Sequence, residues 1–156
     1  QMSGVIDLLN VAVRSRVRGL RAVALPPLSV SPAEELRDPI GSLETALRRR
    51  FGDRLAFARD GVSTGNTARG ELADDDAPLA VFSSGAFFNE GQAARVRELL
   101  AGGGILCALR TPYDATVVPE RPALLTYGDV PASLEALAAV LAGELEPTGR
   151  LPVRMP

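Results

Sequence analysis

Chemistry in this chain would have to come from a few polar side chains placed just after apolar runs. Ser83-Ser84-Gly85 follows the run 79–82, Arg110-Thr111-Pro112-Tyr113-Asp114 follows 104–109, and Tyr127-Gly128-Asp129 closes 123–127. With Asn89, these loops supply hydroxyls, a guanidinium, a phenol, a carboxamide and carboxylates. Arg110 and Asp114 could act as a functional ion pair, although such a pair more often fixes its own loop. Ser83 or Ser84 would need a base to become a nucleophile, and only carboxylates are on offer. The candidate binding residues are therefore Asn89, Arg110, Tyr113 and Asp114. No catalytic residue is assigned, and no metal or cofactor is expected.

The missing residue types narrow the chemistry further. There is no His, which removes His general-base catalysis, Ser-His triads and His-ligated metal. All 17 basic residues are Arg, so there is no Schiff-base lysine and no P-loop lysine. The single Cys107 lies mid-strand and reads as a small core residue. Asp74-Asp75-Asp76 could attract a divalent cation, but consecutive side chains diverge and nothing matches an EF-hand loop, so a solvated loop is the better reading. Arg14, Arg16 and Arg18 alternate with other residues as a solvated edge would. A net charge of −2 gives no reason to expect nucleic acid. No apolar run nears the ~20 residues a membrane span needs. One cysteine permits no intramolecular disulfide, which fits a reducing, cytoplasmic setting.

The elements that must position these loops follow from periodicity. A chain of 156 residues, 46% of them apolar, can bury a core as one domain. With aromatics at 4%, that core must be Leu, Val and Ala. Residues 5–13 read as a helix or a lead-in strand. Residues 20–25 read as a strand ended by Pro26-Pro27, and Ser31-Pro32-Ala33-Glu34-Glu35 as one helical turn. Residues 42–51 carry a helix period that Gly52 stops, and 54–58 form a short strand. After the polar stretch 61–77 comes the strand 79–82. Asn89 then opens a helix as N-cap, with Gln92 placed to bond back as in a capping box. Gly102-Gly103-Gly104 follows a helix and precedes a strand, the reverse of a dinucleotide-binding loop. In the last helix Leu134, Leu137, Ala138 and Leu141 share a face, Asp129 is placed to cap it, Pro131 suits its first turn and Gly143 its end. This alternation predicts an α/β three-layer sandwich: a mostly parallel sheet with helices on both faces. Ligands of such sheets bind beyond the strands' carboxyl ends, where the candidate residues lie.

The second half of the chain resembles the C-terminal α/β domain of glycoside hydrolase family 3, the β-glucosidase and β-N-acetylhexosaminidase family. The likeness rests on Asn89-Glu90-Gly91-Gln92, Ala108-Leu109-Arg110-Thr111-Pro112-Tyr113-Asp114, Tyr127-Gly128, Pro131-Ala132-Ser133-Leu134-Glu135-Ala136 and Gly149-Arg150-Leu151-Pro152-Val153. Their order and spacing resemble the bacterial β-N-acetylglucosaminidase branch most. The likeness covers residues 79–156; before that only the strand–helix alternation agrees. It implies a domain beside an N-terminal (β/α)8 barrel that this sequence does not contain. In the family the nucleophilic Asp lies on that barrel, as does the Asp-His acid/base pair of the N-acetylglucosaminidase branch. In β-glucosidases a Glu of the C-terminal domain is the acid/base; Glu90 and Glu120 are the nearest loop carboxylates here, and no motif supports either.

The expectation is thus an accessory domain that packs on the catalytic barrel, lines one wall of a sugar cleft, and is inactive alone. Its partners would be that barrel and carbohydrate. In isolation an apolar docking face would be open, and two copies could pair through it. The rival expectation is a free-standing flavodoxin-like module that binds a small ligand or a protein at the same strand ends.

Overall fold

In the computed structural model, residues 19–27, 31–35, 37–61, 76–151 and 154–155 are described. The segment 5–13, the Arg14–Arg16–Arg18 alternation and Asp74-Asp75 lie outside them. Five strands form one sheet: β1 (Leu20–Ala24), β2 (Leu55–Arg59), β3 (Leu79–Ser83), β4 (Ile105–Ala108) and β5 (Ala123–Leu125). Their order is β2-β1-β3-β4-β5, and every neighbouring pair is parallel. The expectation of a mostly parallel sheet thus becomes a wholly parallel one. Ala22 stands between Phe57 and Ala80, and Cys107 between Phe82 and Leu124.

Alternate residues of each strand feed different layers, as the twofold period of a strand requires. Ala22, Ala24, Ala80, Phe82, Ile105 and Cys107 face α2 (Pro39–Phe51) and α4 (Pro131–Leu141). Val81 and Leu106 face the other way, against Val96 and Leu100 of α3 (Glu90–Leu100). The short α1 (Pro32–Glu35) is a single turn. The apolar face expected of the last helix is the one α4 buries: Leu134, Leu137, Ala138 and Leu141 are all inside. Each such leucine contributes roughly 1.5–3 kcal/mol by leaving water.

Helix ends explain the boundaries. The second helix begins three residues before the expected start at residue 42, because Asp38 accepts a hydrogen bond from the Gly41 N–H at 2.9 Å and Pro39 sits in the first turn. At the end of α4, Gly143 takes φ 75°. Its N–H donates to Val140 and that of Glu144 to Ala139, which satisfies carbonyls the helix leaves open. The expected Asp129 cap does not form. Val130 is the N-cap residue and offers no side-chain bond, while the Asp129 carboxylate is held by Arg37 at 3.2 Å and lies 3.8 Å from Arg110.

Helices α2 and α4 lie side by side and are tied by charge. Arg49 and Arg50 both bond Glu135, and Arg50 also reaches Glu144 at 3.1 Å. The hydrogen bond from Arg50 holds the Glu135 carboxyl below the usual carboxylate range. No described helix is long and apolar enough to cross a membrane.

Candidate functional site

Because all strands are parallel, the loops after β3, β4 and β5 emerge at one edge of the sheet. The loop after β3 turns at Gly85, whose φ of 115° favours a residue without Cβ. It continues through a 3-10 turn, Ala86–Phe88, into the Asn89 cap of α3. The loop after β4 opens a second 3-10 segment, Pro112–Val117, where Thr111 accepts a bond from the Tyr113 N–H. That segment aims Asp114 back under the β3 loop.

Asp114 is completely buried. Its Oδ2 accepts from Ser83 Oγ at 2.6 Å and from the Gly85 N–H at 2.9 Å; its Oδ1 accepts from the Phe87 N–H at 3.0 Å. Successive backbone N–H groups at such a turn commonly make a site for an outside anion. Here the chain fills that site with its own carboxylate.

Gln92 closes the neighbouring gap. The expected capping-box bond back to Asn89 is not what its side chain makes. Asn89 caps the helix through the Gln92 N–H at 2.9 Å, but the Gln92 carboxamide turns inward, only 8% exposed. Its Oε1 accepts from the Ser84 N–H at 3.2 Å and its Nε2 donates to the Pro26 carbonyl at 3.1 Å. This bridge joins the ends of β1 and β3, where the strand order reverses and where sheets of this topology bind ligands. The inward turn has a physical cause: the buried Ser84 N–H needs an acceptor, and a solvent-facing cap does not. Arg95 adds a third fastening, reaching Asp60 beyond β2 through Nε and Nη2 at 3.0–3.1 Å.

The four candidate residues therefore share one edge but do different things. Asn89 is a helix cap, and Asp114 is sealed inside. Arg110 and Asp114 do not pair; Arg110 lies beside Asp129 instead, because Asp114 points into the sheet edge to serve three internal donors. Tyr113 keeps an exposed ring, 5.4 Å centroid to centroid from Phe87. Phe87 in turn meets Phe88 edge-on at 5.0 Å. The sequence reading passed over Phe87 and Phe88; two adjacent phenylalanines in a chain with five in all were the available signal.

Ser83 and Asp114 form a hydroxyl–carboxylate pair, but Ser83 is fully buried, so no substrate carbonyl or acetal can reach it. Glu90 pairs with Arg97 at the start of α3. Glu120 precedes β5 at the opposite edge, next to Arg121, which donates to the Ala101 carbonyl after α3. The two carboxylates thus cannot flank one sugar, as retaining hydrolysis at about 5–5.5 Å would need. Burial raises the Cys107 thiol and keeps it protonated. A shallow cleft of about 450 Å³ between α2 and α4 has carboxylates of its own, Asp38 and Glu135, but both serve internal partners. Among the described residues, no group of three His, Cys, Asp or Glu side chains is placed to hold a metal.

A wholly parallel five-stranded sheet in this order, with helices on both faces, is a three-layer α/β sandwich. The same architecture occurs in two solved enzymes. One is a glycoside hydrolase family 3 β-N-acetylglucosaminidase from Paenibacillus sp. str. FPU-7, with TM-score 0.68, 25% identity and 85% of this chain covered. The other is a fungal multi-domain family 3 β-N-acetylglucosaminidase described as having a GCN5-related glucosamine N-acetyltransferase region, with TM-score 0.69, 23% identity and 88% covered. These spans exceed what residues 79–156 could supply, so the likeness of fold reaches into the first half of the chain, where sequence likeness is slight. This chain matches only 26% and 15% of the lengths of those two chains. No family model matches the chain, and no curated protein does.

Proposed function

We propose that this chain is the C-terminal α/β domain of a family 3 glycoside hydrolase acting on β-N-acetylhexosaminides. In this reading it packs on an N-terminal (β/α)8 barrel that carries the nucleophile and the acid/base group, and its carboxyl edge borders the sugar cleft. The observation that carries the reading is the closed state of that edge in a fold shared with such enzymes. Asp114 and Gln92 occupy the donors and the crevice that a free-standing ligand-binding sandwich would keep open. A domain built this way supports and positions; it does not turn over substrate alone.

The test begins with the native polypeptide in its source cells, detected with an antibody raised against this chain. A product longer by a barrel of roughly 250 residues is expected. Once purified, it should hydrolyse a chromogenic β-N-acetylglucosaminide, and residues 1–156 alone should not. A product of this chain's size, or a longer one inert on N-acetylhexosaminides, overturns the proposal.

A further inference from the structure

We infer that the aromatic edge formed by Phe87, Phe88 and Tyr113, extended by Tyr127 and Val130, is the face on which the rest of the same polypeptide seats. The inference rests on the reading proposed above and adds to it the contact surface. Among the described residues, seven large apolar side chains are substantially exposed, and five of them follow the carboxyl ends of β3, β4 and β5. The remaining two, Leu145 and Leu151, come after α4. The chain is poor in aromatics: five Phe and two Tyr. Phe51 and Phe82 are in the core and Phe57 packs against it, which leaves Phe87, Phe88, Tyr113 and Tyr127 together on this one edge. Scattered single exposures are ordinary, but here Phe87 touches both Phe88 and Tyr113, and such a cluster marks an interaction surface.

The rings are also held firmly. The Phe87 N–H is bonded to the buried Asp114, so the backbone beneath the patch is anchored from inside the fold. Phe88 is nevertheless 72% exposed. An anchored loop that presents phenylalanine to water is built for a partner with an apolar surface.

The occupant follows from proportion. This chain corresponds to 26% and 15% of the two enzymes that share its fold, so in each of them most of the polypeptide lies outside the matched region and must border it somewhere. The apolar edge is the part of this surface suited to such a border. A second copy of this chain is the competing occupant.

Hydroxyl-radical footprinting of the native, longer polypeptide tests this, with each residue's rate normalised to that in the urea-unfolded protein. Phe88 is more exposed in this domain than Leu145, at 72% against 50%. If the edge is seated, Phe88, Phe87 and Tyr113 are modified several-fold more slowly than Leu145. The Phe88→Asp variant of the longer polypeptide should then restore modification at Tyr113 and split one unfolding transition into two. If Phe88 in the wild type reacts faster than Leu145, the inference is overturned while the proposed function stands. Protection that appears only as the protein dimerises, and vanishes on dilution, assigns the face to a second copy and also overturns it. A native product no longer than this chain removes the proposed function itself, and the inference with it.

Discussion

Ser83 at the end of β3 and Asp114 in the loop after β4, 31 residues apart in sequence, meet at 2.6 Å inside the sheet edge. The same carboxylate takes the Gly85 and Phe87 N–H groups, so one side chain holds two loops in register.

Asp114→Ala is therefore expected to destabilise the protein rather than touch function alone. It leaves the buried Ser83 hydroxyl and Gly85 N–H, and the partly buried Phe87 N–H, without an acceptor, and such losses sum to about 3 kcal/mol. Urea unfolding measures this. Arg110→Ala loses a partly exposed contact at 3.8 Å and should shift stability by about 0–1 kcal/mol. Equal effects of the two substitutions would refute the arrangement.

Gln92→Ala tests the bridge between β1 and β3. It leaves the buried Ser84 N–H without an acceptor and removes the donor from the more exposed Pro26 carbonyl, at a cost of roughly 1–2 kcal/mol. Amide hydrogen exchange at Ser84, slow in the wild type, should accelerate in Gln92→Ala.

Much of the fold was legible before the structure because its signals are local. The apolar runs of β1, β3 and β4, the 3.6-residue period of α4 and the stops at Gly52 and Gly143 each lie within a few residues of one another. What escaped depends on contacts distant in sequence. The start of α2 at Asp38-Pro39 escaped because Gly41-Ser42 interrupts the pattern just after it, although Ile40 already lies on the buried face. Asp129 looked like a cap, but arginines 92 and 19 residues before it lie against its carboxylate. Gln92 fitted a capping box, and only the buried ends of two other strands explain its inward turn. The candidate residues lie at the carboxyl edge, as the rule for parallel sheets requires. Their roles were not legible, since whether Asp114 faces Arg110 or Gly85 depends on how two loops cross.

Leu137→Asp should abolish folding. Leu137 is 3% exposed in the layer between α4 and the sheet, and a carboxylate there has no cation to meet it. Circular dichroism and solubility report the loss; a soluble variant with a cooperative melt would mean that α4 is not docked as described.

Acid should loosen the α2–α4 contact. Glu135 has its carboxyl lowered, chiefly by the hydrogen bond from Arg50. A carboxyl lowered in the folded state contributes stability that is present above its unfolded value, near the ordinary 4.5, and is lost as pH falls through the lower folded value. Asp38, lowered mainly by the Gly41 N–H, acts in the same direction. Glu135→Gln should therefore flatten the acid limb of a stability–pH curve and leave the neutral region nearly parallel to wild type. An unchanged acid limb would show that the Arg49–Arg50–Glu135 cluster does not persist in solution.

Tyr127 sets backbone conformation against surface placement. It takes φ 57° without being glycine, and its ring is 51% exposed at the same edge as Phe87 and Tyr113. A left-handed tyrosine costs about 1 kcal/mol. Tyr127→Gly should therefore raise the stability of residues 1–156 by a few tenths to roughly 1 kcal/mol, because glycine adopts this φ without strain. In the longer polypeptide the same substitution removes one ring from the proposed seat, so the gain should shrink or reverse. Thermal unfolding of both forms decides it: a stabilisation of equal size in each would take Tyr127 out of the seat and leave its strained backbone without a function.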